Sequence, residues 1–438
     1  MSFEKFNLHG SLLRAITEAG YETPTPIQAQ ALPPALEGRD VLGCAMTGSG
    51  KTAAFVLPIL ERLFKKSRGV TRALILCPTR ELAMQIHETI EELGKYAPIK
   101  SATIFGGVPM KGQVQAFERG VDILIATPGR LLDHFQYNYA KLGSLEVLVF
   151  DEADRMLDMG FMPSIKKILQ HIPKPQQTLF FSATMPTQIG QLAKDLLKHP
   201  VTFNVERQAK PATGITQTCF PVAQSLKPAL LLEMLAQNPM ESVIVFTRTK
   251  HRANGLCKYL TGYGVNAERI HGNRSQAQRT EALKGFKSGK FRVLVATDIA
   301  ARGIDVQDLE YVVNFDVPAI PEDYIHRVGR TARAERTGDA ITFFCKEEEQ
   351  QLFDIERAIQ LKLPRSWVDG FNYKAVGEKM PDTRGDSRQG DPRRNQPRRS
   401  PQATRGSSAP KSEAAAGSSG QARPSGHRGG YSRRGNSR

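Results

Sequence analysis

Cysteine is scarce in this chain. Its five residues, Cys44, Cys77, Cys219, Cys257 and Cys345, are odd in number, widely scattered and without a C-x-x-C pair. That spacing argues against a disulfide framework and a zinc site, leaves buried thiols as the plain reading, and fits a reducing compartment, the cytoplasm. Long apolar runs are missing too. No stretch approaches the roughly 18–20 residues that a membrane-spanning helix needs. The opening MSFEKFNLHG lacks the basic segment and hydrophobic run of a secretory signal. Acidic charge is in deficit: 44 Asp and Glu face 60 Lys and Arg, for a net charge of +16. Such an excess points to an anionic partner, and without a spanning segment nucleic acid is favoured over a membrane.

A hydrophobic fraction of 40% over 438 residues is enough to fill real cores. At about 150 residues per unit, the length suggests three parts. Up to about residue 365, short β-branched apolar runs alternate with helical patterns. They include Ala73–Cys77, Asp122–Ala126, Val147–Phe150, Leu179–Phe181, Val243–Phe246, Val293–Ala296, Tyr311–Asn314 and Ile341–Phe344. Runs apolar on both faces and separated by helices predict an α/β fold with mostly parallel sheets covered on both sides. Polar residues, Pro and Gly interrupt the rhythm after residue 205. This predicts one domain over 1–205, a linker over 206–217 and a second domain of similar build over 218–365.

Residues 366–438 are assigned to a basic, low-complexity, disordered tail. From Val376 onward large apolar residues nearly vanish, and 14 Lys and Arg face five Asp and Glu, a surplus of nine. Such a segment buries too little apolar surface to offset the entropy of ordering. Its Arg-rich composition suits non-specific RNA binding. It also offers an attachment for ribosome-assembly or RNA-degradation proteins, although no pattern in it selects between them.

Chemistry first shows at Ala45-Met46-Thr47-Gly48-Ser49-Gly50-Lys51-Thr52. Lying between a strand-like and a helical stretch, this has the layout of a phosphate-binding loop. Glycines let backbone N–H groups turn onto phosphate oxygens, and the helix N-terminus adds partial positive charge. Lys51 would reach the β- and γ-phosphates, and the Thr52 hydroxyl would ligate Mg²⁺. Alone, the run also fits an ordinary flexible turn. Asp151-Glu152-Ala153-Asp154, about a hundred residues on and directly after an apolar strand, decides the matter. An acidic residue at a strand's carboxyl end in such a protein sits where Mg²⁺ needs an oxygen, and Glu152 is placed to orient or deprotonate water.

Further motifs follow in order, and together they resemble the DEAD-box family of RNA helicases in superfamily 2. They are Gly20–Gln28 with Phe3 upstream, Pro78-Thr79-Arg80-Glu81-Leu82, Gly106-Gly107, Thr127-Pro128-Gly129-Arg130 and Ser182-Ala183-Thr184. Later come Val245–Arg248, Gln276–Arg279, Ala296–Asp305 and His326–Arg333. The resemblance spans Phe3 to about Arg365. The family's loop also begins with Ala, and the form Thr331-Ala332-Arg333 with the Arg-rich tail looks most like the bacterial RhlE subgroup.

The resemblance implies two tandem recA-like domains that hold ATP and Mg²⁺ between them. Phe3, Tyr21 and Gln28 are expected around adenine; Thr47, Gly48, Ser49, Gly50, Lys51 and Thr52 on the phosphates; Gly303 and Asp305 by the ribose. Lys51, Asp151, Glu152, Arg330 and Arg333 are the expected catalytic groups, the two arginines entering as fingers. Thr52 and Asp151 would hold the metal, partly through water. RNA is expected at Pro78, Thr79, Arg80, Gly106, Gly107, Thr127, Pro128, Gly129, Arg130, Arg248, Gln276, Arg279, Thr297 and Asp298. Asp154, Ser182, Thr184, Arg302 and His326 are expected to couple the two ligand sites.

None of these motifs offers a base-edge reading pattern, so RNA binding should be sequence-independent and salt-dependent. ATP and RNA would each favour one closed state, bending one strand until a few base pairs open. Two rivals remain: an ATP-gated RNA clamp with little strand separation, which shares every motif, and a DNA translocase of the same superfamily, against which Gly20–Gln28 and the lack of an inserted domain or zinc cluster speak.

Overall fold

The computed structural model describes residues 2–45, 49–64, 69–204, 214–298, 309–331 and 338–375. Two parallel sheets emerge. The first holds β1 (Val41–Cys44), β2 (Ala73–Leu76), β3 (Ser101–Ile104), β4 (Ile123–Ala126), β5 (Val147–Phe150), β6 (Gln177–Ser182) and β7 (Val201–Asn204), in the order β3-β4-β2-β5-β6-β1-β7. The second holds β8 (Ile215–Pro221), β9 (Val243–Thr247), β10 (Ala267–Ile270), β11 (Val293–Thr297), β12 (Tyr311–Asn314) and β13 (Gly338–Phe344), in the order β10-β11-β9-β12-β13-β8. Helices cover both faces of each, so the fold is a pair of recA-like α/β bodies.

The central strands show why their sequences are apolar throughout. In β2, Ala73 and Ile75 enter one core while Leu74 and Leu76 enter the core on the opposite face. In β9, Val243 and Val245 face one core, Ile244 and Phe246 the other. With side chains alternating across a sheet buried on both sides, neither face can be polar. Parallel strands also share one carboxyl edge, and the loops leaving that edge carry the motifs.

Two boundaries differ from the sequence expectation. Ile215–Thr218, assigned partly to the linker, opens β8 and pairs with β13. The remaining linker positions, 206–213, lie outside the described residues. Residues 366–375, assigned to the tail, belong to the second body: Val368, Phe371 and Tyr373 pack on its core, and Ser366 N donates to Cys219 O at 2.9 Å beside β8. Apolar burial by this short segment outweighs its polar flanks. The tail from residue 376 lies outside the described residues. Among the described residues all five cysteines are free, and no helix is long and apolar enough to cross a membrane.

Candidate nucleotide site and nucleic-acid interface

The loop after β1 delivers Lys51 at the start of the helix Lys51–Leu63. Lys51 is buried; its Nζ donates to Ala45 O at 2.9 Å and lies 3.9 Å from Asp151 Oδ1. Gly50, just before the helix, has φ +92°, and a Cβ there would meet Gln28 Nε2 at 2.7 Å. Glycine is required on both counts. Gln28 holds this corner together, accepting from Thr25 N at 2.9 Å and donating to Gly50 O at 3.1 Å. Tyr21 is half-buried, while Phe3 is only 3% exposed and packs edge-on to it at 6.2 Å between ring centroids. Ser49 and Thr52 are half-buried; Thr47 and Gly48 lie outside the described residues.

After β5, Asp151 is fully enclosed. Burial pushes its carboxyl up to about 6, with Lys51 opposing and Glu152 reinforcing the rise. Its Oδ1 is buried without a hydrogen-bond partner. A carboxylate oxygen left this way beside a lysine suits a hard cation. Glu152 adopts left-handed backbone, φ 54° and ψ 52°, a conformation that costs a non-glycine residue about 1–2 kcal/mol. Its Oε2 accepts from Arg155 Nη1 at 3.2 Å. Asp154 turns to the end of β6: its Oδ2 accepts from Thr184 N at 2.7 Å and Thr184 Oγ1 at 2.9 Å, and its own N donates to Ser182 Oγ at 3.1 Å.

The second body meets this edge with the helix Pro321–Val328 and the turn after it. Arg155 from the first body lines a small cavity with Asp298, Asp323, His326, Arg327 and Arg330. Burial, then Arg155, pushes His326 down to about 3, so its imidazole stays neutral. Arg330 is 5% exposed. Arg302, Gly303, Asp305 and Arg333 lie outside the described residues.

The expected RNA groups of the first body gather around one loop. Thr79 caps the helix Arg80–Leu93, accepting from Leu82 N at 3.2 Å with Pro78 buried beside it. Arg80 runs over Gly106 and Gly107, and any side chain at Gly107, φ +81°, would collide with its guanidinium. Thr127 and Pro128 begin the helix Pro128–His134, which also carries half-buried Gly129. Arg130 Nη1 donates to Val108 O at 3.0 Å in the same loop. In the second body Arg248 is about half exposed, Thr297 ends β11, and Asp298 pairs with Arg327 through both oxygens, at 2.6 and 2.7 Å. Gln276 and Arg279, expected on RNA, place their head groups across the two bodies on the buried Glu81 carboxylate, at 3.2 and 2.8 Å. Glu81, within Pro78–Leu82, and Arg155, directly after Asp151–Asp154, thus join the site.

A DEAD/DEAH box helicase family model matches residues 25–192, and a helicase conserved C-terminal domain model matches residues 226–335. The chain is 42% identical over 365 residues to the DEAD-box ATP-dependent RNA helicase CshA of Bacillus subtilis (strain 168), covering 83% of this chain and 74% of that one. The CshA of Geobacillus kaustophilus is 41% identical over 364 residues, covering 83% and 78%. The structure of S. cerevisiae Dbp5 bound to RNA and ADP BeF3 superposes with a TM-score of 0.76 at 31% identity, over 83% of this chain and 95% of that one.

Proposed function

The chain belongs to the DEAD-box family of RNA helicases, and from that premise we propose how it works: an ATP-dependent RNA helicase that closes on nucleotide and RNA together and separates short duplexes locally, without reading base sequence. The observation that carries the reading is the shared edge, where Arg155 of the first body faces His326, Arg327 and Arg330 of the second. The likeness to Dbp5 bound to RNA and nucleotide supports it.

Lys51 leaves Ala45 O to meet the β- and γ-phosphates, while Gln28 and Tyr21 receive adenine. Glu152, oriented by Arg155, holds the attacking water and takes its proton. Arg330, and Arg333 with it, answers the charge that develops on the transferred phosphoryl group. Mg²⁺ would be held by Thr52 and Asp151, partly through water; the unpartnered Asp151 Oδ1 fits it. When bound, that ion neutralises phosphate charge. The hydrogen bonds linking Asp154, Ser182 and Thr184 carry closure towards the RNA side, with His326 joining from the second body.

Arg80, Gly107, Thr127, Gly129, Arg130 and Arg248 bind RNA backbone, and 2′-hydroxyl contacts favour RNA over DNA. Gln276 and Arg279 serve RNA indirectly, by holding the bodies closed. Within the family, the Ala332 form and the Arg-rich tail favour an RhlE-like member, although the relatives matched above are named CshA. The tail adds RNA affinity and attaches ribosome-assembly or RNA-degradation partners. We place the protein in the cytoplasm, where its five free thiols stay reduced.

Strand displacement on a short RNA duplex tests the reading. ATP should release strands, and Glu152→Gln should bind ATP yet turn over ~10²–10⁴-fold more slowly. Tight ATP-dependent RNA binding with no released strand at any ATP concentration would establish the clamp instead.

A further inference from the structure

Three charged side chains lie buried together at the carboxyl end of the second sheet, outside every role assigned above: Lys227 and Asp316 at 0% exposure and Glu348 at 3%. Lys227 Nζ donates to Glu348 Oε2 at 2.5 Å, to Phe315 O at 2.9 Å and to Phe343 O at 3.2 Å, using all three ammonium donors. Asp316 Oδ1 lies 3.9 Å from the same nitrogen and 3.1 Å from Arg252 Nη2. Burial alone would raise the Glu348 carboxyl, but the Lys227 charge prevails and holds it below the usual range. Buried ion clusters are poor stabilisers compared with apolar packing of the same volume, so stability is a weak account of this one.

Its contacts suggest another purpose. The second Glu348 oxygen, Oε1, accepts from Arg248 Nη2 at 2.9 Å. Asp316 Oδ2 accepts from the Arg248 backbone N at 2.8 Å. The cluster therefore grips Arg248 at both backbone and head, while about half of that side chain stays open to solvent. Asp316 reaches the other way as well. Its carbonyl accepts from Arg327 Nη1 at 2.8 Å, and Arg327 is the neighbour of His326 and the clamp on Asp298.

We propose that Glu348, seated on Lys227, is a positioning residue that aims Arg248 at an RNA phosphate, and that Asp316 ties this seat to the helix carrying His326. The proposal rests on reading Arg248 as an RNA contact. A guanidinium held by one carboxylate keeps its remaining donors in a fixed fork, which lowers the entropy lost on meeting a phosphate. Because the seat shares Asp316 with the Arg327 contacts, RNA engagement at Arg248 stiffens the nucleotide side of the same body.

The test uses the full chain, a poly(U) strand and RNA-stimulated ATP hydrolysis, with Arg248→Ala, Glu348→Gln and the double variant. Each single change should raise the RNA concentration for half-maximal turnover roughly tenfold, the size of a lost charge-assisted hydrogen bond. The Glu348→Gln shift should fall on RNA half-saturation rather than on the KM for ATP. The double variant should be no worse than Arg248→Ala alone, because both remove one interaction. Should Glu348→Gln fail to fold, Lys227→Met with Glu348→Leu replaces the pair by apolar groups and should give the same shift. Wild-type RNA half-saturation in a folded seat variant, with Arg248→Ala shifted, or additive effects in the double variant, overturn the positioning role and leave the RNA site standing. An Arg248→Ala variant that behaves like wild type overturns both.

Discussion

The two bodies share a sheet architecture, and beside the buried Glu152–Arg155 pair the first fixes its groups mainly through backbone and hydroxyl hydrogen bonds, the second mainly through ion pairs. In the first, Asp154 accepts from the backbone N and hydroxyl of Thr184 while its own N donates to Ser182 Oγ, and Gln28 is held by the backbone of Thr25 and Gly50. In the second, arginines are held by carboxylates: Arg327 by Asp298, Arg248 by Glu348, Arg252 by Asp316. Hydrogen bonds to backbone and hydroxyl groups fix these loops with a modest net energy each. Buried ion pairs fail sharply when one partner is removed, since the other is left charged without its counter-ion. The first body is thus a preformed nucleotide cradle, and the second an ionic frame that brings arginines to it.

The largest effect should come from the arginine the second body delivers. Arg330→Ala should lower RNA-stimulated turnover by ~10³-fold or more, measured as phosphate release at saturating ATP and RNA. A small loss would mean that the cradle suffices alone, and the division of labour would fail. Next comes the pair joining the bodies. Arg279→Ala leaves the buried Glu81 carboxylate with only the Gln276 amide across the bodies and should cost about 3 kcal/mol of closure. This would be read as raised half-saturation for both ATP and RNA. Glu81→Arg combined with Arg279→Glu should recover part of it, whereas no recovery would remove the pair from the closing contact.

The smallest effect concerns pH. His326, held near 3 by burial and by Arg155, is neutral when folded and gains a proton when unfolded. Its depressed value adds stability that is present in full above 6.5 and is lost as pH falls from there towards 3, by about 1.4 kcal/mol per unit. Urea midpoints between pH 7 and 5 should decline, and His326→Gln should flatten that decline.

Much of the fold could be read in the chain because the central strands are buried on both faces. Val147–Phe150 and Val293–Thr297 leave no polar position to confuse the pattern. The edge strands Ser101–Ile104 and Ala267–Ile270 escaped notice because one flank meets solvent and their middle residues are only partly covered. Ile215–Gln217 looked like linker for a related reason: Gln217 in this polar-rich stretch is satisfied by Tyr324 in the folded state, a partner 107 positions away. Groups of the first body that act where they stand in sequence, such as Lys51 and Glu152, were visible in short motifs. Lys227, Asp316 and Glu348 were not, since no local spacing marks residues scattered over 120 positions and brought together only by the sheet.

The central claim is that nucleotide and RNA are held jointly by both bodies. Energy transfer between dyes on Tyr137→Cys and Tyr263→Cys, both exposed and one in each body, measures that directly. Transfer should change to a closed-state value only when ATP and RNA are present together, and Arg279→Ala should demand more of each to reach it. Full closure with either ligand alone, or none with both, would contradict the account.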